Sequence, residues 1–260
     1  MKIVVLLKQV PDTYEDRKLD LETGLLDRKA SEPILEEITE RALEVALQHK
    51  DSNKQTEIVL ITMGPASVTS ALRRGLSMGA DRAVHVLDDA LGGSDVSWTA
   101  TALAAAIARE SPDLVIAGNE STDGRGGVVP AMIAEHLRLP NLSNLHSVTL
   151  TESSVGGERG SESGSLTVHT SLPAVISVTE RAAEARFPNF KGVLGAKKKP
   201  LAVLSLADLG ISPSNTFAGA GRSVVISTIA RPARQAGRKV TDDGNAAVLL
   251  ADFLAEGRLI

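Results

Sequence analysis

The 260-residue chain contains no cysteine, which excludes disulfide bonds, thiolate metal sites and cysteine nucleophiles. Only 2% of the residues are aromatic, so a core drawn from the 43% of apolar residues must consist mainly of Val, Leu, Ile and Ala. Such a core suits helices layered on a parallel sheet. The formal net charge of −4 argues against general nucleic-acid binding.

No long apolar run opens the chain. The apolar run in the first residues, MKIVVLLKQV, is too short for a signal peptide or a spanning helix. We therefore expect a cytoplasmic protein without direct membrane insertion. The five histidines show no ligand spacing, and no GxSxG motif is present, so neither a metal site nor a catalytic residue is predicted. The acidic pairs Glu36-Glu37 and Asp88-Asp89 have the pattern of solvated helix or turn positions.

The first half of the chain alternates strand and helix patterns. Apolar runs predict strands at residues 3–7, 57–62, 83–87 and 114–117. Helices are predicted from Pro33 to residue 48, after a cap at Ser67, after a cap at Ser94 or Asp95, and from near Pro130. Four successive β-α units predict an α/β fold with a doubly wound, mostly parallel sheet.

The pattern changes after Pro140. Strands are predicted at residues 145–151, 166–170 and 174–179, around a turn with the sequence GGERGSESGS. Residues 184–200 show neither helical nor strand periodicity. Residues 212–243 predict an extended arm, because they are rich in small residues, Pro and Arg, and a closing helix is predicted at residues 246–255. We expect three parts, residues 1–183, 184–200 and 201–260.

The stretch AGNESTDGRGGVVP, residues 117–130, links the fourth predicted strand to the next helix. In doubly wound sheets, ligands lie at the carboxyl ends of strands, where this turn is expected. Gly126 and Gly127 leave room for backbone amides to approach a phosphate, and the amides of Val128 and Val129 lie at a helix N-terminus. The alternative is an ordinary glycine-rich connection. The stretch is not a Walker loop, since no GK[ST] follows.

A second small-residue stretch is GGSD at residues 92–95. It is similar to the pyrophosphate loop of ATP-dependent ligase-like enzymes. This similarity is the sole support for the hypothesis of an ATP-pyrophosphatase activity. In those enzymes the loop follows the first strand, whereas here it follows the third. We therefore favour a simple turn with a helix cap.

Residues 181–199 combine basic and aromatic side chains. The segment contains six basic residues and one acidic residue, Glu184. It also contains Phe187 and Phe190, two of the four phenylalanines. One interpretation is a docking arm, in which an apolar anchor is flanked by charges that steer an acidic partner. The other is a basic loop whose two rings pack back onto the domain. Composition leaves both interpretations open.

Four segments together resemble one known family. They are KIVVLLKQVPDT, TMGPASVTSALRRGLSMGADRAVHV, AGNESTDGRGG and LPAVISVTERAAEARFPNFKGVLGAKKKP. In this order, over residues 1–211, they are similar to the β subunit of electron transfer flavoprotein, and most similar to its actinobacterial type. The resemblance implies a Rossmann-like domain of the adenine nucleotide-binding type at residues 1–183.

The resemblance also implies a function. The family is a heterodimer of α and β subunits that carries single electrons from acyl-CoA and related dehydrogenases to a membrane quinone oxidoreductase, so the chain is expected to be a carrier subunit and not an enzyme. The redox FAD is held mainly by the α subunit, and the β subunit binds a structural AMP. By position, the AMP pocket uses Leu6, Met63, Gly118, Asn119, Glu120, Ser121, Thr122, Asp123, Gly126, Gly127, Val128 and Val129.

This chain departs from many relatives in the phosphate turn. They carry polar side chains where Gly126, Gly127 and Val128 stand, so backbone contacts to the phosphate must suffice here. Residues 184–200 correspond to the recognition loop that docks on dehydrogenases, with Phe190 at the position of a leucine anchor. The expected docking residues are Arg186, Phe187, Phe190, Lys191, Lys197, Lys198 and Lys199.

Residues 201–260 are expected to pack on the α subunit. Two alternatives stay open. One is a bifurcating form, in which a second FAD replaces AMP and exchanges hydride with NADH. The other is a stand-alone ATP-binding regulatory module. We favour the AMP form.

Overall fold

Parallel strands form the central sheet of this α/β protein. The computed structural model describes residues 1–212, 223, 225–234, 236–237 and 239–260. In chain order, the strands are β1 (Lys2–Leu6), β2 (Gln9–Pro11), β3 (Pro33–Leu35), β4 (Glu57–Met63), β5 (Arg82–Val86), β6 (Leu114–Gly118), β7 (Asn141–Leu145), β8 (Ser147–Leu150), β9 (Ser154–Ser161), β10 (Gly164–Ser171), β11 (Ala174–Val178) and β12 (Leu201–Leu204). The helices are α1 (Glu37–Ser52), α2 (Thr69–Met78), α3 (Val96–Glu110), α4 (Val129–Leu137), α5 (Phe190–Ala196) and α6 (Ala246–Glu256).

Seven strands form one sheet in the order β12-β5-β4-β1-β6-β11-β7, and each neighbouring pair runs parallel. The chain builds outward from β1 through β4 to β5, then returns through α3 to β6 on the other side of β1. This reversal confirms the predicted doubly wound sheet. It creates a switch point between β1 and β6, and the loops that follow these two strands meet at the same carboxyl edge.

Alternate side chains of β1 enter two different cores. Ile3 and Val5 pack in the cluster that contains buried residues of α1 and α2, whereas Val4 and Leu6 pack in the cluster that contains those of α3 and α4. Helices therefore cover both faces of the sheet. This two-sided burial explains why the strand is a continuous apolar run instead of an alternating one.

The predicted helix start at Pro33 is wrong. Pro33 lies in β3, which pairs with β2 in a separate two-stranded sheet. Such a short, two-stranded ladder tolerates proline, which has no N–H to donate. Glu36 follows in an extended conformation, and α1 begins at Glu37.

Of the predicted helix caps, one is wrong and one is confirmed. Ser67 lies inside the 3-10 turn Ala66–Val68, and α2 begins at Thr69 without a side-chain cap. Asp95 does cap α3, because its Oδ1 accepts a hydrogen bond from the Trp98 amide at 2.8 Å. The favoured interpretation of GGSD as a turn with a helix cap is therefore confirmed.

The predicted turn GGERGSESGS is largely strand. Most of it lies in the antiparallel hairpin of β9 and β10, and only residues 162–163 separate the two strands. β8 pairs with β9, which gives a second sheet of three strands. Glycine is required inside β9, since a Cβ on Gly157 would lie 1.9 Å from the Ser147 carbonyl oxygen. The glycines allow the strand backbones to pack closely. In the sequence alone, the same glycines had indicated a turn.

The strand predicted at residues 145–151 covers the last residue of one strand and all of a second strand, which belongs to a different sheet. β7 pairs in parallel with β11 of the large sheet, whereas β8 pairs antiparallel with β9 of the small one. Asn144, with a φ of 59°, adopts the left-handed conformation near the change of direction. Periodicity does not show such a switch, because both strands remain extended.

Two elements of the C-terminal part have no counterpart in the sequence prediction. β12 lies beside β5 at the edge of the large sheet, within the range assigned to the arm, and α5 lies in the segment without periodicity. The described residues between 212 and 243 form neither helix nor strand, and the rest of that predicted arm lies outside the described residues. The chain divides into two units, Met1–Ser227 and Thr228–Ile260, and α6 in the second confirms the closing helix.

Candidate functional site

The turn after β6 lies at the switch point of the sheet. Its start is fixed to the neighbouring strand, because the Asn119 amide donates to the Val178 carbonyl at 2.8 Å. Lys8, which follows β1, reaches the same turn and donates from Nζ to Ser121 Oγ at 2.9 Å and to Asp123 Oδ1 at 2.7 Å. The ends of β1 and β6 are thus joined by side-chain contacts.

Asp123 is the centre of a small charged cluster. Its side chain is 1% exposed, and its two oxygens pair with Lys8 at 2.7 Å and with Arg28 at 2.9 Å. Burial alone would raise the pKa of Asp123, but the Lys8 charge and the hydrogen bonds from Lys8, Ser121 and Arg28 outweigh it and hold that pKa well below its usual value. The aspartate therefore stays ionised and holds two cations beside the turn.

Glu36 joins the turn from the N-terminus of α1. Its Oε2 accepts hydrogen bonds from the Thr122 amide at 3.0 Å and from Thr122 Oγ1 at 2.7 Å. The residue is 1% exposed, so the expectation that Glu36 is solvated is wrong. Its other oxygen, Oε1, is buried and has no hydrogen-bond partner among the described residues.

The second half of the turn leads directly into α4. Gly127 has a φ of +63°, a conformation that costs a residue with a Cβ roughly 1–2 kcal/mol. The helix begins at Val129 after Val128, and no side chain caps it. Residues 124–128 are exposed. The backbone amides at this uncapped N-terminus are therefore oriented to bind an anion.

Leu6, which is buried, and Met63, which is partly buried, are apolar residues at the same edge. They end the neighbouring strands β1 and β4, and both pack in the cluster that contains Leu91 and Trp98. The predicted pocket residues therefore lie on the ends of adjacent strands and on the turn after β6. Glu120 is exposed.

Sequence reasoning did not find Lys8, Arg28 or Glu36. A single lysine after a strand has no spacing that points to a site, and Arg28 lies in a long connection without a motif. Glu36 had no signal either, because the sequence predicted it inside a helix that begins at Pro33. Its contact with Thr122, 86 residues away, depends on the tertiary fold.

A second surface is formed by residues 184–200, and Arg186 fixes its first end. The Arg186 side chain donates from Nε to Glu44 Oε2 at 2.7 Å and from a terminal nitrogen to Glu44 Oε1 at 2.9 Å. The same terminal nitrogen donates to Asp51 at 2.7 Å. Hydrogen bonds to Glu44 and then to Asp51 raise the pKa of Arg186, and the bond from Arg186 lowers the pKa of Asp51.

The other end of this segment is held by α2. Arg73 donates to the carbonyls of Ala196 at 2.7 Å and Lys199 at 3.0 Å. Lys199 in turn donates to the Leu76 carbonyl at 2.8 Å, and burial lowers the pKa of Lys199. Its ammonium therefore points into the protein, where it supports the segment.

Between these anchors the segment is a short exposed helix. Asn189 caps α5, accepting from the Gly192 amide at 2.8 Å. Phe187 is 88% exposed and Phe190 is 80% exposed. The alternative in which the two rings pack back onto the domain is therefore wrong.

Sequence comparisons with known proteins identify the family of this chain. A family model described as the electron transfer flavoprotein domain matches residues 23–209. The electron transfer flavoprotein β subunits of Mycobacterium leprae and Mycobacterium tuberculosis are each 47% identical over 264 aligned residues, which cover 99% of either chain. This chain belongs to the electron transfer flavoprotein family.

The family extends to a second kind of complex. Subunit CarD of the caffeyl-CoA reductase-Etf complex of Acetobacterium woodii is 33% identical to this chain. The alignment covers 93% of this chain and 92% of CarD.

The match to electron transfer flavoprotein β subunits confirms the resemblance read from the sequence. It implies an electron transfer flavoprotein α subunit as partner.

Two further observations concern the described part of the chain. It contains no group of three or more His, Asp or Glu side chains arranged to hold a metal ion. Among the same residues, no helix combines the length and the apolar character needed to cross a bilayer.

Proposed function

We propose that this chain is the β subunit of a cytoplasmic, heterodimeric electron carrier. It accepts single electrons from acyl-CoA and related dehydrogenases and delivers them to a membrane quinone oxidoreductase, with the redox FAD held mainly by the α subunit. Family membership supports the electron-transfer role. The observation that carries the nucleotide assignment is the uncapped, glycine-rich N-terminus of α4 at the switch point of the sheet.

The residues at this edge fit AMP. Gly126 and Gly127 are exposed and carry no side chain that could cover the amides at the start of α4, so a phosphate can approach those amides. Lys8 and Arg28 add positive charge next to the turn. Leu6 and Met63 are the apolar residues at this edge that would lie next to a base. When bound, AMP supplies no redox chemistry, so its role here is structural.

The segment of residues 184–200 is proposed as the surface that docks on dehydrogenases. Phe187 and Phe190 present apolar anchors, and Lys191, Lys197 and Lys198 are exposed in the same segment. Arg186 and Lys199 are proposed to support this surface and not to contact the dehydrogenase, because their side chains hold the segment on α1 and α2. Docking then uses a preorganised helix instead of a loop that must order on binding.

The C-terminal part is proposed to pack on the α subunit. α6 contains no buried residue, and its apolar side chains Val248, Leu250 and Phe253 are all exposed. An apolar helix surface of this kind is typical of a protein-protein contact.

The experiment that tests the proposal is to purify the chain with its α partner and identify the nucleotides that acid releases. One FAD and one AMP per heterodimer would support the single-flavin carrier. The absence of both flavin and a stable partner complex would contradict the proposal and favour the stand-alone ATP-binding module.

The bifurcating form is the second candidate. It is favoured by one comparison, the CarD relative from a reductase-Etf complex, and by the chemistry of the turn, which suits the adenylate part of FAD as well as AMP. Two FAD and no AMP in the acid extract would decide for this form.

A further inference from the structure

The inner side of α5 lies directly on the backbone of α2. Gly192, in the first turn of α5, contacts the last turn of α2 at Ser77. A Cβ on Gly192 would be 2.3 Å from the Ser77 carbonyl oxygen and 3.4 Å from the carbonyl carbon. Ser77 is buried, and its carbonyl belongs to a helix backbone that cannot turn aside as a side chain could. A larger residue than glycine therefore does not fit at position 192 unless one of the helices shifts.

Hydrogen bonds at the other end of α5 hold the helix in this position. Ala196, one turn after Gly192, is buried, and its carbonyl accepts a hydrogen bond from Arg73 of α2 at 2.7 Å. Lys199, which follows α5, donates in the opposite direction to the Leu76 carbonyl of α2 at 2.8 Å. Each segment thus supplies a cation that binds carbonyls at the end of the other helix. Because of these contacts, α5 is fixed to α2 along its length.

The outer side of α5 carries a row of exposed apolar side chains. Phe190, Val193 and Leu194 have the i, i+3, i+4 spacing that places them on one side of a helix, away from Gly192. Phe190 is 80% exposed, and Val193 and Leu194 are both about half exposed or more. Val193 and Leu194 therefore extend the apolar anchor beyond the two phenylalanines. A short row of this kind fits an apolar groove on a partner protein.

We propose that Gly192 is a positioning residue for docking: because it has no side chain, α5 lies on α2 at the depth where Phe190, Val193 and Leu194 meet the dehydrogenase. The inference rests on the docking role proposed above for residues 184–200. Gly192 itself does not contact the dehydrogenase. A side chain at this position would push α5 outward by about 1 Å, the difference between 2.3 Å and the 3.4 Å at which ordinary contacts begin.

The test compares two glycine-to-alanine variants in the same helix. Gly192→Ala and Gly195→Ala both replace the most flexible residue by the best helix former, so their effects on helix propensity are similar. A Cβ on Gly195 would have no atom within 4 Å, and Gly195 lies in neither the inner contact nor the outer row. Gly195→Ala is therefore the matched control. Each variant is purified as the complex with the α partner, and its FAD and AMP contents are measured.

The measurement is the turnover of an acyl-CoA dehydrogenase with the complex as the varied electron acceptor. Gly192→Ala should raise the KM for the complex by about tenfold and leave kcat within about twofold of wild type, because displaced anchors weaken association and not the reaction of the docked proteins. Gly195→Ala should keep both constants within about twofold of wild type. Dithionite reduces FAD without docking, so the rate of that reduction should be the same in all three complexes.

Phe190→Ala separates this inference from the docking role on which it rests. If Phe190→Ala raises the KM but Gly192→Ala behaves like Gly195→Ala, the positioning role is overturned and the docking surface stands. If neither Phe190→Ala nor Gly192→Ala changes the KM, both are overturned. A Gly192→Ala complex that fails to assemble, loses FAD or reacts more slowly with dithionite also overturns the inference, because the glycine then supports more than the docking helix.

Discussion

Replacing Arg186 with Ala should destabilise the complex strongly, although the residue lies near the surface. Its side chain makes three hydrogen bonds, two of them to Glu44, whose own side chain is only 5% exposed. The backbone amide of residue 186 also donates to Glu44, at 3.2 Å, and survives the change. Arg186→Ala therefore leaves a buried carboxylate with one weak donor and no cation.

The size of the effect follows from that burial. Removing one partner of a buried ion pair costs about 3–5 kcal/mol, and the lower end applies because the Arg186 side chain is 33% exposed. For a chain of this size, each kcal/mol lowers the melting temperature by roughly 2–4 °C, so we expect a fall of about 6–12 °C. Arg181→Ala is the matched control, since its pair with Glu180 is exposed and worth about 1 kcal/mol at most.

Thermal melting of the complex with the α partner measures this effect. If the cost arises from an unpaired buried charge, the double variant Arg186→Ala/Glu44→Gln should melt at a higher temperature than Arg186→Ala. The reasoning would be refuted by a double variant no more stable than the single one, or by a loss in Arg186→Ala as small as that in Arg181→Ala.

Three further predictions concern the two surfaces. Gly127→Ala should lower the free energy of unfolding by about 1–2 kcal/mol and reduce the amount of bound AMP. Gly210 also has a positive φ, +72°, but lies away from the turn, so Gly210→Ala should lower stability alone. If both variants retained the same amount of AMP, the phosphate turn would be contradicted. Asp123 has a folded pKa below its reference value of 3.8, so its ionised form stabilises the fold above that value, and this contribution is lost as the pH falls through the lower folded pKa. The stability difference between wild type and Asp123→Asn should thus be constant above about pH 5 and shrink below about pH 4, and a difference independent of pH would refute the ion cluster. Phe190→Ala should slow electron acceptance from a dehydrogenase by about tenfold or more and leave AMP content unchanged, and normal dehydrogenase turnover would remove the segment from the docking surface.

The sequence by itself determined the architecture of the first half. Strands buried on both faces are continuous apolar runs, and helices with one buried face repeat every three to four residues, so burial is encoded locally and can be read without the fold. Asp95 could be identified as a cap because a cap contacts amides only a few residues away. The turn before Pro130 could be recognised because its glycines and the following helix adjoin in the chain.

Only the tertiary structure decided which side chains meet. Glu44 and Arg186 are 142 residues apart, and Lys8 and Asp123 are 115 apart, so no local pattern relates them. The same holds for Glu36. The sequence predicted a solvated position, whereas in the structure the residue is buried and bonded to Thr122. Lys199 stood in a basic run typical of a solvated surface, yet its ammonium is held by carbonyls at the end of α2. A residue type fixes what chemistry is available, but burial and partners, which decide whether a charge binds, supports or faces solvent, arise only when distant segments pack together.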